Sequence, residues 1–149
     1  MSRAILIAAV AYIISIAALQ PAHSGTKEDA FAAVERWVGA YSAADVDKVV
    51  ASYTPDALFF GTTSPTLATT PDAIRKYFSG LPARTPRSSV KIGEYSAVVL
   101  SEEAVVFSGL YEFSLPSGLA PARFSFVAVK RGGNWLLAHH NSSAVPKPQ

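Results

Sequence analysis

Cysteine is absent from this 149-residue sequence, which excludes disulfides, thiolate nucleophiles, zinc–thiolate sites and a lipidated lipobox cysteine. Carboxylates are scarce, 11 Asp and Glu against 13 Lys and Arg, so a paired-carboxylate hydrolase site has no basis. A charge so close to balance also gives no electrostatic reason to expect nucleic acid or an anionic membrane as a partner. No Gly-x-Ser-x-Gly turn is present to present a nucleophilic serine, and a Ser-His pair alone lacks its orienting carboxylate. A glycine-rich phosphate loop, an internal repeat and a low-complexity tract are all missing. The length holds one domain and not two.

What is present begins with an apolar stretch. The first 24 residues carry a single charge, Arg3, followed by the uncharged run Ala4 to Leu19 and the polar exit Gln20-Pro21-Ala22-His23-Ser24. This order of positive start, apolar stretch and small residues at Ala22 and Ser24 predicts a secretory signal over 1–24 with cleavage before Gly25. The run is short for a spanning helix, so an uncleaved anchor is the lesser alternative. The expected product is a periplasmic or secreted domain, residues 25–149, with no membrane contact after cleavage and held by its core alone.

Beyond Gly25 the hydrophobic period changes once, from helical to alternating. Phe31, Val34, Val38 and Tyr41 lie at helical spacing, Trp37 widens that face, and Thr26 with Asp29 resembles a capping box; a first helix is expected over about 27–41. Val46, Val49, Val50 and Tyr53 predict a second, shorter helix ended by Thr54-Pro55. A short strand from Ala57 to Gly61 and an exposed loop over 62–69 precede a third helix, started by Thr70-Pro71-Asp72 and stopped by Gly80. Four strand-like runs follow, 90–100, 104–115, 122–131 and 134–143, the last two joined by Gly132-Gly133, a strong hairpin signal. Helices first and a meander afterwards predict an α+β domain, three helices packed on a curved antiparallel sheet, with a pocket between them.

A two-residue turn at Gly132-Gly133 fixes a register for the last hairpin. It places Phe126 opposite His139, Ser125 opposite His140, Phe124 opposite Asn141 and Arg123 opposite Ser142. One face then holds Phe124, Phe126, Trp135, Leu137, His139 and Asn141, and the other Arg123, Ser125, His140 and Ser142.

The runs Phe59-Phe60-Gly61-Thr62-Thr63-Ser64-Pro65, Ala73-Ile74-Arg75-Lys76-Tyr77-Phe78, Ala122-Arg123-Phe124-Ser125-Phe126 and Gly133-Asn134-Trp135-Leu136-Leu137-Ala138-His139-His140-Asn141-Ser142-Ser143 resemble the nuclear transport factor 2-like superfamily. The branch is that of SnoaL-like proteins of the SgcJ/EcaC kind, themselves similar to the association domain of calcium/calmodulin-dependent protein kinase II. The resemblance covers about 27–146, and the ending is its most specific part. It implies a cystatin-like cone with an internal pocket, dimers or larger assemblies through the sheet, and, in some members, isomerase, cyclase or dehydratase chemistry. It implies no kinase activity. Relatives often carry His where this chain has Asn141, and His139 and His140 are neighbours pointing to opposite faces of a strand, so no metal site is expected; no cofactor is expected either.

Three residues are candidates for chemistry. His140, beside Ser125 in the predicted register, titrates near neutrality and suits acid or base work, against the plainer reading of a core histidine bonded to a serine. Arg123 suits a carboxylate or a polarised carbonyl, against an ion pair with Glu94 or Glu112. Asp56 stands where the resemblance puts a pocket acid in some enzymes, against a turn residue after helix two. Trp37, Tyr41, Tyr53, Phe60, Ser125, Asn141 and Ser142 are candidate ligand contacts, and Phe124, Phe126, Trp135 and His139 candidate subunit-interface residues. The expectation is binding of a small, partly apolar organic molecule by a homodimer or larger assembly. The alternatives are an isomerase- or dehydratase-type enzyme using Asp56 or His140, and a self-association module.

Overall fold

The structure, a computed structural model, describes residues 25–146; the expected signal segment lies outside them. Helix α1 spans Thr26–Ser42, α2 Val46–Ala51 and α3 Pro71–Phe78, and the strands are β1 Tyr53–Phe60, β2 Ser89–Ser101, β3 Ala104–Leu115, β4 Gly118–Arg131 and β5 Asn134–Ala144. Among the described residues no helix is long and apolar enough to cross a membrane.

The helix ends follow from local chemistry. Thr70 Oγ1 accepts from the Ala73 amide at 3.2 Å and Pro71 occupies the first turn, where its missing N–H costs nothing. Asp45 caps α2 through the Lys48 amide at 3.0 Å. At α1 the expected Thr26 capping box does not form: Gly25 is the cap, without a side-chain bond, and Glu28 and Asp29 place negative charge at the positive helix end instead. The buried stripe of α1 centres on Ala30, Ala33, Val34, Trp37, Ala40 and Tyr41, while Phe31 and Val38 flank it. The alanines let the helix approach the sheet closely.

The sheet order is β1-β5-β4-β3-β2. β2 to β5 form the expected antiparallel meander, and β1 adds a parallel edge strand beside β5. Tyr53, expected at the end of helix two, opens β1 and pairs with Leu137. Pro55 is tolerated because β1 is an edge and its pairing is interrupted between Tyr53 and Leu58. β4 begins at Gly118, four residues before the expected Ala122, so Pro121 sits inside it. Irregular pairing at Ile92/Tyr95 and Val99/Ser101 bends β2. Gly109 makes the first of these feasible, since a Cβ there would lie 2.4 Å from the Glu94 carbonyl oxygen. Gly132 and Gly133 both take positive φ, as a tight hairpin turn requires. All helices pack on one side of the curved sheet, and the core of Trp37, Phe59, Phe107, Phe126, Ile74 and Leu137 fills the space between.

Candidate functional site

The last hairpin departs from the expected register at one residue. Arg131 pairs with Asn134 and Ala128 with Leu137, but Val127 pairs with His139, leaving Ala138 without a partner. From that bulge onward each β5 residue is displaced by one, because side chains alternate with a period of two. His140 consequently stands opposite Phe126 rather than Ser125, Asn141 opposite Ser125, and Ser142 opposite Phe124. His140 and Ser142 share the helix-facing side with Phe124 and Phe126, and His139 and Asn141 move to the other.

On the helix-facing side a cavity of about 210 Å³ lies between the sheet, α1, α3 and the segment after β1. Its aromatic wall includes Trp37, Tyr41, Phe59, Tyr77 and Phe78, and its polar wall Thr62, Tyr111, His140 and Ser142. The His140 ring is held edge-on to Trp37 at 4.8 Å and lies 4.1 Å from the Phe126 ring. Its Nδ1 is 2.7 Å from the Tyr53 hydroxyl and its Nε2 3.4 Å from that of Tyr111. Burial, with the neighbouring His139 adding a smaller effect, pushes His140 well below the ordinary histidine range, so the ring is neutral. Burial likewise raises Tyr53 and Tyr111, which keep their protons.

The direction of these bonds follows from the donors available. Trp37 Nε1, which can only donate, is turned toward the Tyr53 oxygen without closing to a hydrogen bond. That arrangement favours Tyr53 donating to His140 Nδ1, which leaves the ring hydrogen on Nε2, facing Tyr111. Ser142 and Thr62 lie near the Tyr111 hydroxyl and are hydrogen-bonded to each other. The wall is a set of neutral donors and acceptors suited to a hydroxyl or carbonyl.

At the rim, Arg84 from the α3–β2 connection donates through Nη1 to the Tyr41 hydroxyl at 3.1 Å and to Ser88 Oγ at 3.4 Å. Burial raises the Tyr41 phenol and the Arg84 charge partly offsets this.

The remaining sequence candidates lie elsewhere. Tyr53 sits behind His140 and positions it. Phe60 is 38% exposed, its alternation in β1 having turned Phe59 inward in its place. Asp56 is exposed and does not line the cavity; the nearby Thr54 side chain and its own backbone hold its carboxyl below the usual range. Arg123 is exposed on the outer face, bonded to Ser143 Oγ at 3.2 Å, and no ion pair with Glu94 or Glu112 forms. Ser125 faces outward and meets Ser108 Oγ at 3.1 Å. Phe124, Phe126 and Trp135 are buried in this chain's own core, and only His139 of the four interface candidates is half-exposed. Tyr111, Phe59, Thr62 and Arg84 were not singled out from sequence. Tyr111 alone carried a usable signal there, since it continues the alternation of Val105 and Phe107 along β3.

The comparisons with known proteins agree with this architecture. A profile of the SnoaL-like domain matches residues 31–148. A proposed calcium/calmodulin-dependent protein kinase II association domain from Xanthomonas campestris is 28% identical, with a TM-score of 0.75 over 86% of this chain and 93% of its own. A ketosteroid isomerase-like protein from Erwinia carotovora atroseptica superposes with a TM-score of 0.66 at 20% identity, over 80% of this chain and 96% of its own. A proposed scytalone dehydratase from Novosphingobium aromaticivorans does so with 0.69 at 14% identity, over 81% and 87%. A comparison with curated proteins returns no match. The helices on a curved sheet are thus a cystatin-like, nuclear transport factor 2-like fold, and the chain belongs to the SnoaL-like domain family.

Proposed function

We propose that this domain binds a small, partly apolar organic molecule in the helix-facing cavity. The observation that carries the reading is a half-open cavity with an aromatic wall and a polar wall of two hydrogen-bonded pairs, His140 with Tyr111 and Ser142 with Thr62. Such a combination is what orients a small ligand. At about 210 Å³ the space is below the roughly 300–1,000 Å³ of drug-sized sites, which suits one ring with a short substituent. Export to the periplasm or beyond is part of the proposal and rests on the sequence of 1–24. So is self-association through the outer sheet face, where Val98, Leu100 and Leu110 are exposed.

Native mass spectrometry of the protein purified from its own source, before and after mild denaturation, tests this. The wild type should release a bound small molecule, and Ala144→Trp, which fills the rim, should carry none. An empty wild type that still forms a dimer or ring would overturn the binding reading in favour of an assembly module.

The fold shared with isomerase-like and dehydratase-like proteins, together with a buried neutral imidazole, supports a second reading: an isomerase- or dehydratase-type reaction. In it His140 acts through its Nε2 hydrogen, as the acid toward the developing oxyanion, beside the Tyr111 hydroxyl. Asp56 takes no part, because it does not line the cavity.

A further inference from the structure

We infer that the occupant of the cavity is a small apolar monocarboxylate whose charged end is held by Arg84; this deepens the binding reading above and rests on it. Arg84 carries a guanidinium with five N–H donors in a planar fork. Among the described residues its protein hydrogen bonds all come from Nη1, and both go to neutral oxygens, those of Tyr41 and Ser88. The ion pairs among the described residues join Lys27 to Glu28, Lys48 to Asp45 and Arg75 to Asp47, so Arg84 has no carboxylate of its own. No Asp or Glu lines the cavity, and burial keeps Tyr41, Tyr111 and His140 in its wall uncharged. The lining therefore carries a single positive charge, placed at the rim.

The two contacts of Arg84 also fix where its fork points. Tyr41 and Ser88 are buried, 4% and 1% exposed, and anchor one nitrogen, while Nε and Nη2 have no protein acceptor among the described residues. A planar carboxylate matches two parallel donors of that fork better than any single-atom acceptor. Tyr41, whose oxygen accepts from Arg84, lies at the same rim. A cation would be repelled there, a neutral ligand would gain nothing from the charge, and a dianion would bring a second charge that nothing in the lining balances. The aromatic wall of Trp37, Phe59 and Phe78 takes the apolar body. Because the Arg84 side chain is itself exposed, its contribution is moderate and falls with salt.

Calorimetric or NMR titration with benzoate and with its neutral isostere benzamide tests the inference. The wild type should bind benzoate about tenfold more tightly than benzamide, a preference that shrinks as salt is raised. Arg84→Gln should abolish that preference and leave benzamide affinity within about twofold. Arg84→Lys should retain part of it, since lysine keeps the charge and loses the fork; it also carries the test if Arg84→Gln fails to fold. Equal binding of the two probes to the wild type, with both lost in Ala144→Trp, would overturn the anionic ligand and leave the cavity reading intact. Binding of neither probe, or binding untouched by Ala144→Trp, would overturn both.

Discussion

On its helix-facing side the β4–β5 hairpin presents Phe124, Phe126, Leu137, His140 and Ser142, all buried, whereas its other side presents Arg123, Ser125, Asn141 and Ser143, exposed or half-exposed. The two sides are written in the same alternating residues, and both are apolar near the turn. What separates them is Ala138, the unpaired residue that shifts everything after it by one place. The lesson is that a single bulge decides which histidine enters the cavity and which polar groups meet solvent. It converts a serine-bonded His140 on the outer face into a buried ring bonded to Tyr53.

The largest effect should come from the inner side. Phe126→Ala removes a fully buried ring that touches Trp37, Phe124 and His140, and should cost about 3–5 kcal/mol in urea unfolding; Leu110→Ala on the outer side, 47% exposed, should cost under about 0.5 kcal/mol for the monomer. Equal costs would erase the distinction between the faces. Deleting Ala138 should change stability by no more than about 1 kcal/mol, because His139 then follows Leu137 directly and His140 stays opposite Phe126. A deletion variant in which His140 becomes solvent-exposed would contradict the pairing described here.

A third effect is the pH dependence of stability. His140 is held neutral in the fold by burial, so below the ordinary histidine pKa of about 6.5 the unfolded chain takes up a proton that the folded chain refuses. Stability should be complete above that pH and fall as pH drops through it, by up to about 1.4 kcal/mol per unit for one such group. His139, lowered by its own partial burial, adds to the same window. Asp45 and Asp56, both held below the usual range, act only below about pH 4. The pH slope should flatten in His140→Gln, and an unchanged slope would contradict a buried neutral ring. The smallest effect belongs to Arg123→Ala, within about 0.5 kcal/mol and without change in cavity binding; lost binding there would move the site to the outer face.

Much of the fold was legible because its signals are local. Thr70-Pro71 announces α3, Gly132-Gly133 the last turn, and the alternating runs the meander, each through backbone chemistry that acts within a few residues. The site was less legible because its determinants are not local. Nothing at Ala138 marks a bulge: the run Leu136-Leu137-Ala138-His139-His140 is nearly as apolar in one register as in the other, and packing against Trp37 and Phe126 chooses. Tyr53 satisfied helical spacing by coincidence, yet its hydroxyl is needed beside His140 and its backbone beside Leu137. Arg84 lies in a Pro- and Arg-rich connection with no periodicity, so only the folded chain brings it to Tyr41. Of the residues named from the sequence, Trp37, Tyr41, His140 and Ser142 line the cavity. Phe60, Ser125 and Asn141 do not, each being one alternation away from it.

The central claim, that the helix-facing cavity with His140 in its wall is the binding site, is tested most directly by imidazole NMR of His139 and His140 across pH, with and without benzoate. The account predicts that His140 does not titrate near the ordinary value of about 6.5, keeps its hydrogen on Nε2, and shifts saturably with benzoate together with the Trp37 indole. A His140 that titrates like an exposed histidine, with benzoate-induced shifts falling on Arg123, Ser125 and Asn141, would contradict it.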